Sequence, residues 1–149
     1  MTKWSGCISG TVAVPVDKVW EIAQFGELHK WDSNAIESCD IKEGNGCSSG
    51  SIRCVVFKYR DGTTGSLVER LTYYNAEDYT YRYEMDDNPL GYEGYSCIFS
   101  LDKNDDGTTT VKYSFELDPI QHLSEEEAVG GIGKVFRRRI SLLEDAAGK

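Results

Sequence analysis

The sequence predicts an α+β fold: a curved antiparallel sheet of about seven strands wrapped around one long C-terminal helix, with two short helices after the first strand. Three observations carry that expectation. From Ser51 to Leu117 apolar residues recur with a period of two, interrupted by turn residues. From Ser124 to Ala147 the period becomes helical, with no proline inside. The chain has 149 residues and 40% hydrophobic content, enough for one domain, 1–149, with a real core.

In order, Trp4, Ile8, Val12 and Val14 share one parity and predict a first strand, in which Gly6 and Gly10 allow a twist or bulge. Pro15 ends it. Val16, Val19, Trp20 and Ala23 then recur at helical spacing, and residues 25–32 read as a second, shorter helical piece. A strand is expected near Ile36–Ile41, followed by a Gly/Ser/Asn loop over 44–50. The period-two region begins with Arg53, Val55, Phe57 and Tyr59 on one face. Leu67, Glu69, Leu71 and Tyr73 follow on the next strand, then Tyr79, Tyr81, Tyr83 and Met85. Tyr95, Cys97, Phe99 and Leu101, and finally Val111, Tyr113, Phe115 and Leu117, complete a meander with one dry face. Asp61-Gly62, residues 75–78, residues 88–91 and residues 104–107 supply its turns.

The last element opens on Ser124-Glu125-Glu126-Glu127, a capping-box pattern with acidic charge at the helix N-terminus. Ala128, Val129, Ile132, Val135, Phe136, Ile140, Leu142, Leu143, Ala146 and Ala147 fall in one broad arc. The dry face of the meander is its natural partner. Gly131 and Gly133 lie at the rims of the arc, each costing ~1 kcal/mol relative to Ala, and Arg139 falls inside it. Close backbone packing with a snorkelling Arg139 accounts for these residues; so does space left between helix and sheet for a ligand. Both readings stand at this level.

Composition excludes several classes. A formal charge of −9 argues against nucleic acid as the main partner, and Arg137-Arg138-Arg139 points in three directions around a helix rather than forming a patch. No run approaches the ~20 apolar residues of a membrane span, and no signal peptide is expected. Five scattered cysteines without a C-x-x-C, and two histidines, predict free thiols in a cytoplasmic setting with no metal and no cofactor. Nothing in the sequence sets an oligomeric state.

Arg53 and Glu69 are charged yet share parity with apolar faces. A three-residue loop, Arg60-Asp61-Gly62 with Gly62 left-handed, closes their hairpin with Tyr59 opposite Thr63 and places Arg53 directly opposite Glu69. A buried pair is weak evidence for stability, because desolvation roughly cancels the attraction. It is either a structural ion pair, a pair split by a one-residue slip, or a site. Beside Tyr83, Tyr95 and Tyr113 on inward parity, a site is the stronger reading: Glu can take and return a proton, Arg can hold an oxyanion, and phenols can orient a substrate. Phe57, Leu71 and Phe136 complete the expected substrate-binding wall.

Over nearly its whole length the chain resembles the START-like helix-grip superfamily, which includes polyketide cyclases, pollen-allergen-type ligand carriers and lipid-transfer domains. Within it, the chain is most similar to the lachrymatory factor synthase branch. The residues that carry the resemblance are Lys3-Trp4-Ser5-Gly6, Leu28-His29-Lys30, Gly50-Ser51-Ile52-Arg53, Val68-Glu69-Arg70-Leu71, Tyr81-Arg82-Tyr83 and Gly91-Tyr92-Glu93-Gly94-Tyr95. The resemblance implies that Arg53 and Glu69 are the catalytic pair and that Tyr83 and Tyr95 face the pocket. It also implies that Tyr113 replaces a family tryptophan, which makes the pocket more polar, and that the segment from Arg53 to Glu69 is one residue shorter.

Two function classes follow. One is a cofactor-independent isomerase, lyase or cyclase for a small molecule, with Glu69 as acid/base and Arg53 as charge stabiliser. The other is a non-catalytic carrier of a hydrophobic small molecule or lipid. An interaction module with an empty cavity is a third. A small cavity with convergent polar groups separates the first from the others.

Overall fold

A computed structural model describes residues 2–149. Seven strands and three helices follow in the order β1 (Trp4–Val12), α1 (Val16–Ile22), α2 (Leu28–Trp31), β2 (Ile36–Glu43), β3 (Ile52–Lys58), β4 (Thr64–Asn75), β5 (Thr80–Asp87), β6 (Ser96–Lys103), β7 (Thr109–Leu117) and α3 (Glu125–Ala147). The strands form one antiparallel sheet in the order β1-β7-β6-β5-β4-β3-β2. No helix among the described residues is long and apolar enough to cross a membrane.

The period-two pattern becomes alternate burial. In β7, Thr109, Val111, Tyr113, Phe115 and Leu117 are buried while the residues between them are half-buried. Cys97, Phe99 and Leu101 do the same from β6, where Ile98 between them is exposed. Across this inner face lies α3. Its N-terminus is fixed by a capping box: the Glu127 N–H donates to Ser124 Oγ, and the Ser124 N–H donates to Glu127 Oε1. Ala128, Ile132, Phe136, Ile140, Leu143 and Ala147 are its buried stripe. Phe136 stacks on Tyr113 with ring centroids 4.2 Å apart and planes within 8°. The sheet therefore grips the helix.

Two local features differ from expectation. β1 carries no bulge: its pairing with β7 runs without a shift from Trp4↔Leu117 to Val12↔Thr109. Gly6 and Gly10 are there for space instead. A Cβ at Gly6 would come within 2.6 Å of the Phe115 ring, and one at Gly10 within 3.2 Å of Ile140 Cγ2 on α3. The second difference is in β4. The register shifts between Leu71↔Tyr83 and Tyr73↔Arg82, leaving Thr72 as an extra residue. That reverses the faces beyond it. Tyr73, expected inward, is exposed, and Tyr74 packs against Trp20 instead, with centroids 5.5 Å apart.

Candidate functional site

The hairpin β3–β4 builds the polar centre. Its loop closes as the Tyr59 N–H donates to the Thr63 carbonyl at 2.7 Å, and Gly62 takes φ +89°. A left-handed φ suits glycine because other residues meet a Cβ clash there. With that loop length the register pairs Arg53 with Glu69 on the inner face. Both are buried, at 3% and 5% exposure. Arg53 Nε and Nη2 both donate to Glu69 Oε1, at 2.9 and 2.7 Å, and Nη1 donates to the Phe25 carbonyl at 2.6 Å. The guanidinium lies 4.1 Å from the Phe25 ring centroid and 5.0 Å from that of Tyr83. Burial alone works against its charge. It is the largest single influence, but Glu69 together with Cys39, Tyr83 and Tyr81 outweighs it, so the pKa is raised.

Glu69 Oε1 thus takes both bonds from Arg53. Oε2 has no hydrogen-bond donor among the described residues, and it is not sealed in protein. Glu69 lines a cavity of about 320 Å³ between sheet and helix. Most of that lining is apolar: Leu28, Ile36, Val55, Leu67, Met85 and Val135 contribute from both layers. Tyr83 and Tyr95 line it as well, and burial raises the pKa of both phenols well above the ordinary value. Exposed Lys58, Gly131 and Arg138 mark where the cavity opens.

Of the residues singled out from sequence, Glu69, Tyr83, Tyr95, Phe57 and Phe136 meet at this cavity. Arg53 stands behind Glu69 and does not line it. Leu71 and Tyr113 do not line it either. Leu71 is fully buried in a core that also holds Phe25 and Tyr81, and Phe136 covers Tyr113 by stacking on it. Parity assigns a face of the sheet but not a position along the strand, so residues packed under others share the parity of those lining the cavity. Tyr113, expected to make the pocket more polar, is therefore not part of the cavity wall.

Sequence reasoning missed a second polar group. Asp32, the residue that ends α2, is 1% exposed. Its carboxylate accepts from Arg138 Nη2 at 3.1 Å and from Arg139 Nε at 3.2 Å. Arg138 and Arg139 both line the cavity. They converge on one acid rather than diverging around the helix, and Arg139 is held inward rather than reaching solvent. The available signal was Arg139 inside the apolar arc of α3; its partner, over a hundred residues earlier, had no pattern to betray it. The two glycine readings divide by residue. A Cβ at Gly133 would sit 3.3 Å from Ile8 Cδ1, which is close packing, whereas Gly131 lines the cavity and a Cβ there would meet nothing within 4 Å.

Residues 8–148 match the family described as polyketide cyclase / dehydrase and lipid transport. The chain belongs to that family. Three solved structures show the same fold. An uncharacterized protein from Bacillus thuringiensis superposes with a TM-score of 0.80 at 22% identity, covering 97% of this chain and 99% of its own. Ara h 8.0201 gives 0.79 at 22% identity with 98% of each chain covered. XoxI from Bacillus cereus gives 0.76 at 21% identity, with 98% and 95% covered. This family member therefore has the helix-grip architecture. No protein of curated function matches the chain.

Proposed function

We propose that this family member is a cofactor-independent isomerase, lyase or cyclase, a single 1–149 domain in which Glu69 moves a proton on a small molecule held between sheet and helix. The observation that carries the reading is the split use of one carboxylate. Oε1 is fixed by two bonds from Arg53, while Oε2 of this cavity-lining residue is left without a donor. A general base must be held still and keep an oxygen free for the substrate proton. Arg53, with Nε, Nη1 and Nη2 all engaged by protein, acts through Glu69 as a positioning residue and compensating charge. Tyr83 and Tyr95 offer hydroxyls to orient polar substrate atoms. A sulfenic-acid rearrangement, as in the lachrymatory factor synthase branch, is the specific form; cyanohydrin cleavage and polyketide-type cyclisation need the same groups. Free thiols at Cys7, Cys39, Cys47, Cys54 and Cys97 suit a cytoplasmic setting, and the charge of −9 disfavours a nucleic-acid partner.

The mostly apolar lining supports a second reading, a carrier of a hydrophobic small molecule. Turnover and affinity of parent and Glu69→Gln, measured on sulfenic acids generated in situ, cyanohydrins and small polyketides, separate the two. The enzyme reading expects the parent to consume a substrate and Glu69→Gln to lose ~10²–10⁴-fold in turnover with affinity little changed. Parental turnover in Glu69→Gln would refute the assignment of Glu69. Tight binding of a panel member with no consumption by the parent selects the carrier.

A further inference from the structure

Two buried or half-buried ion clusters of different balance border the cavity, with the exposed Lys58 at its mouth. Arg53 and Glu69 cancel. Asp32 with Arg138 and Arg139 leaves one formal positive charge, in a chain whose net charge is −9. Arg138 is 46% exposed through its side chain, so water screens it. Arg139 is only 14% exposed and lines the cavity, with its Cζ 5.8 Å from the centroid of the Phe136 ring.

The use of the Arg139 donors is as uneven as that of the Glu69 oxygens. Nε donates to Asp32 Oδ2, which aims the guanidinium. Nη1 and Nη2 find no acceptor among the described residues, yet they are not sealed in protein. A guanidinium fork is built to hold two oxygens of an oxyacid side by side. Mostly buried, with only Nε bonded to protein, it gains from an anionic partner at its two outer nitrogens. A ligand that brings one anionic oxygen pair supplies what the fork lacks and neutralises the remaining charge.

We propose that Arg139, aimed by Asp32, is the binding residue for a carboxylate-type headgroup, and that the ligand is a small apolar monoanion whose body fills the cavity toward Glu69. This rests on the reading of the cavity as a small-molecule site, but not on Glu69 being catalytic. The volume of about 320 Å³ is at the low end of the ~300–1,000 Å³ range of ligand pockets and suits a short acyl or aryl chain rather than a two-chain lipid.

The test is calorimetric titration of the parent with hexanoate, octanoate, phenylpropanoate and cinnamate, each beside its primary amide. The same pairs are titrated into Arg139→Gln, Arg139→Lys and Glu69→Gln. The parent should prefer acids over amides by about ten- to hundredfold, the worth of a charge-assisted hydrogen bond. Arg139→Gln should lose that preference while still binding the amides, Arg139→Lys should keep part of it, and Glu69→Gln, which leaves the Arg53 charge uncompensated, should widen it. The double variant Asp32→Asn/Arg139→Gln, which leaves no buried unpaired acid, covers the case in which Arg139→Gln fails to fold, and it should also show no preference. Equal binding of acid and amide by the parent overturns the proposal, as does an undiminished preference in Arg139→Gln or in the double variant. Failure of every acid to bind the parent overturns it too. A loss of catalysis in Glu69→Gln bears only on the proton-transfer reading, so the two fail separately.

Discussion

At the scale of single residues, the Arg53–Glu69 pair raises the question of what it is for. Two buried charges lose most of their hydration, and their attraction roughly repays that loss, so a pair of this kind adds little net stability. Removing one partner is different. Arg53→Leu leaves the Glu69 carboxylate buried without its cation and should cost about 3–5 kcal/mol in urea unfolding. The double replacement Arg53→Met/Glu69→Leu should recover most of that and still bind no better than the parent. A double variant less stable than both single variants would show the pair to be a structural brace. The positions of these two residues were legible from the sequence, because loop length and parity together set the register. The Asp32–Arg139 contact was not, since it joins the end of a four-residue helix to a residue over a hundred positions away, and neither period nor turn chemistry reports on such a pair.

At the scale of elements, two of the three glycines of α3, Gly131 and Gly133, have opposite surroundings, and their substitution separates helix propensity from packing. Both should gain up to ~1 kcal/mol of propensity on replacement by Ala. At Gly131 nothing opposes the gain, so Gly131→Ala should raise the melting temperature. At Gly133 the new methyl presses on Ile8 Cδ1 at 3.3 Å, and β1 must give way. Gly133→Ala should therefore stabilise less. Paired thermal melts decide it, and a larger gain at Gly133 would contradict the close approach of α3 to β1. β5 as far as Met85, β6 from Cys97 and all of β7 were readable because alternation there is unbroken. The far half of β4 was not, because the extra residue at Thr72 exchanges inner and outer faces without leaving a mark in composition. A sequence pattern of period two is a statement about an uninterrupted ladder.

At the scale of the whole molecule, the inner face gathers acids that burial keeps protonated. Burial pushes the Cys97 thiol up to about 12 and raises the phenols of Tyr81, Tyr83, Tyr95 and Tyr113. Their folded pKa values exceed the unfolded ones, so the unfolded chain holds fewer protons in alkali. Stability from these groups is fully present below the unfolded values of ~8.5–10 and is lost as pH rises above them. Each group titrating in that window removes up to about 1.4 kcal/mol per pH unit. Stability should be flat between neutrality and pH ~8.5, then fall steeply. Phenolate absorbance of the buried tyrosines should appear together with loss of the near-ultraviolet circular dichroism; a smooth titration at ordinary tyrosine pKa values, preceding unfolding, would contradict the burial. The strand order has its own consequence for how a cell makes this protein. Within this sheet, the strand made first has its neighbour in the strand made last, since Trp4 pairs with Leu117. At ~5–20 residues per second, β1 waits several seconds as an unmatched edge while the sheet assembles from β2 through β7. The longest cover of the apolar floor, residues 125–147, follows all seven strands. A nascent chain stalled before that point would be sticky, and its dependence on chaperones should end abruptly when α3 emerges.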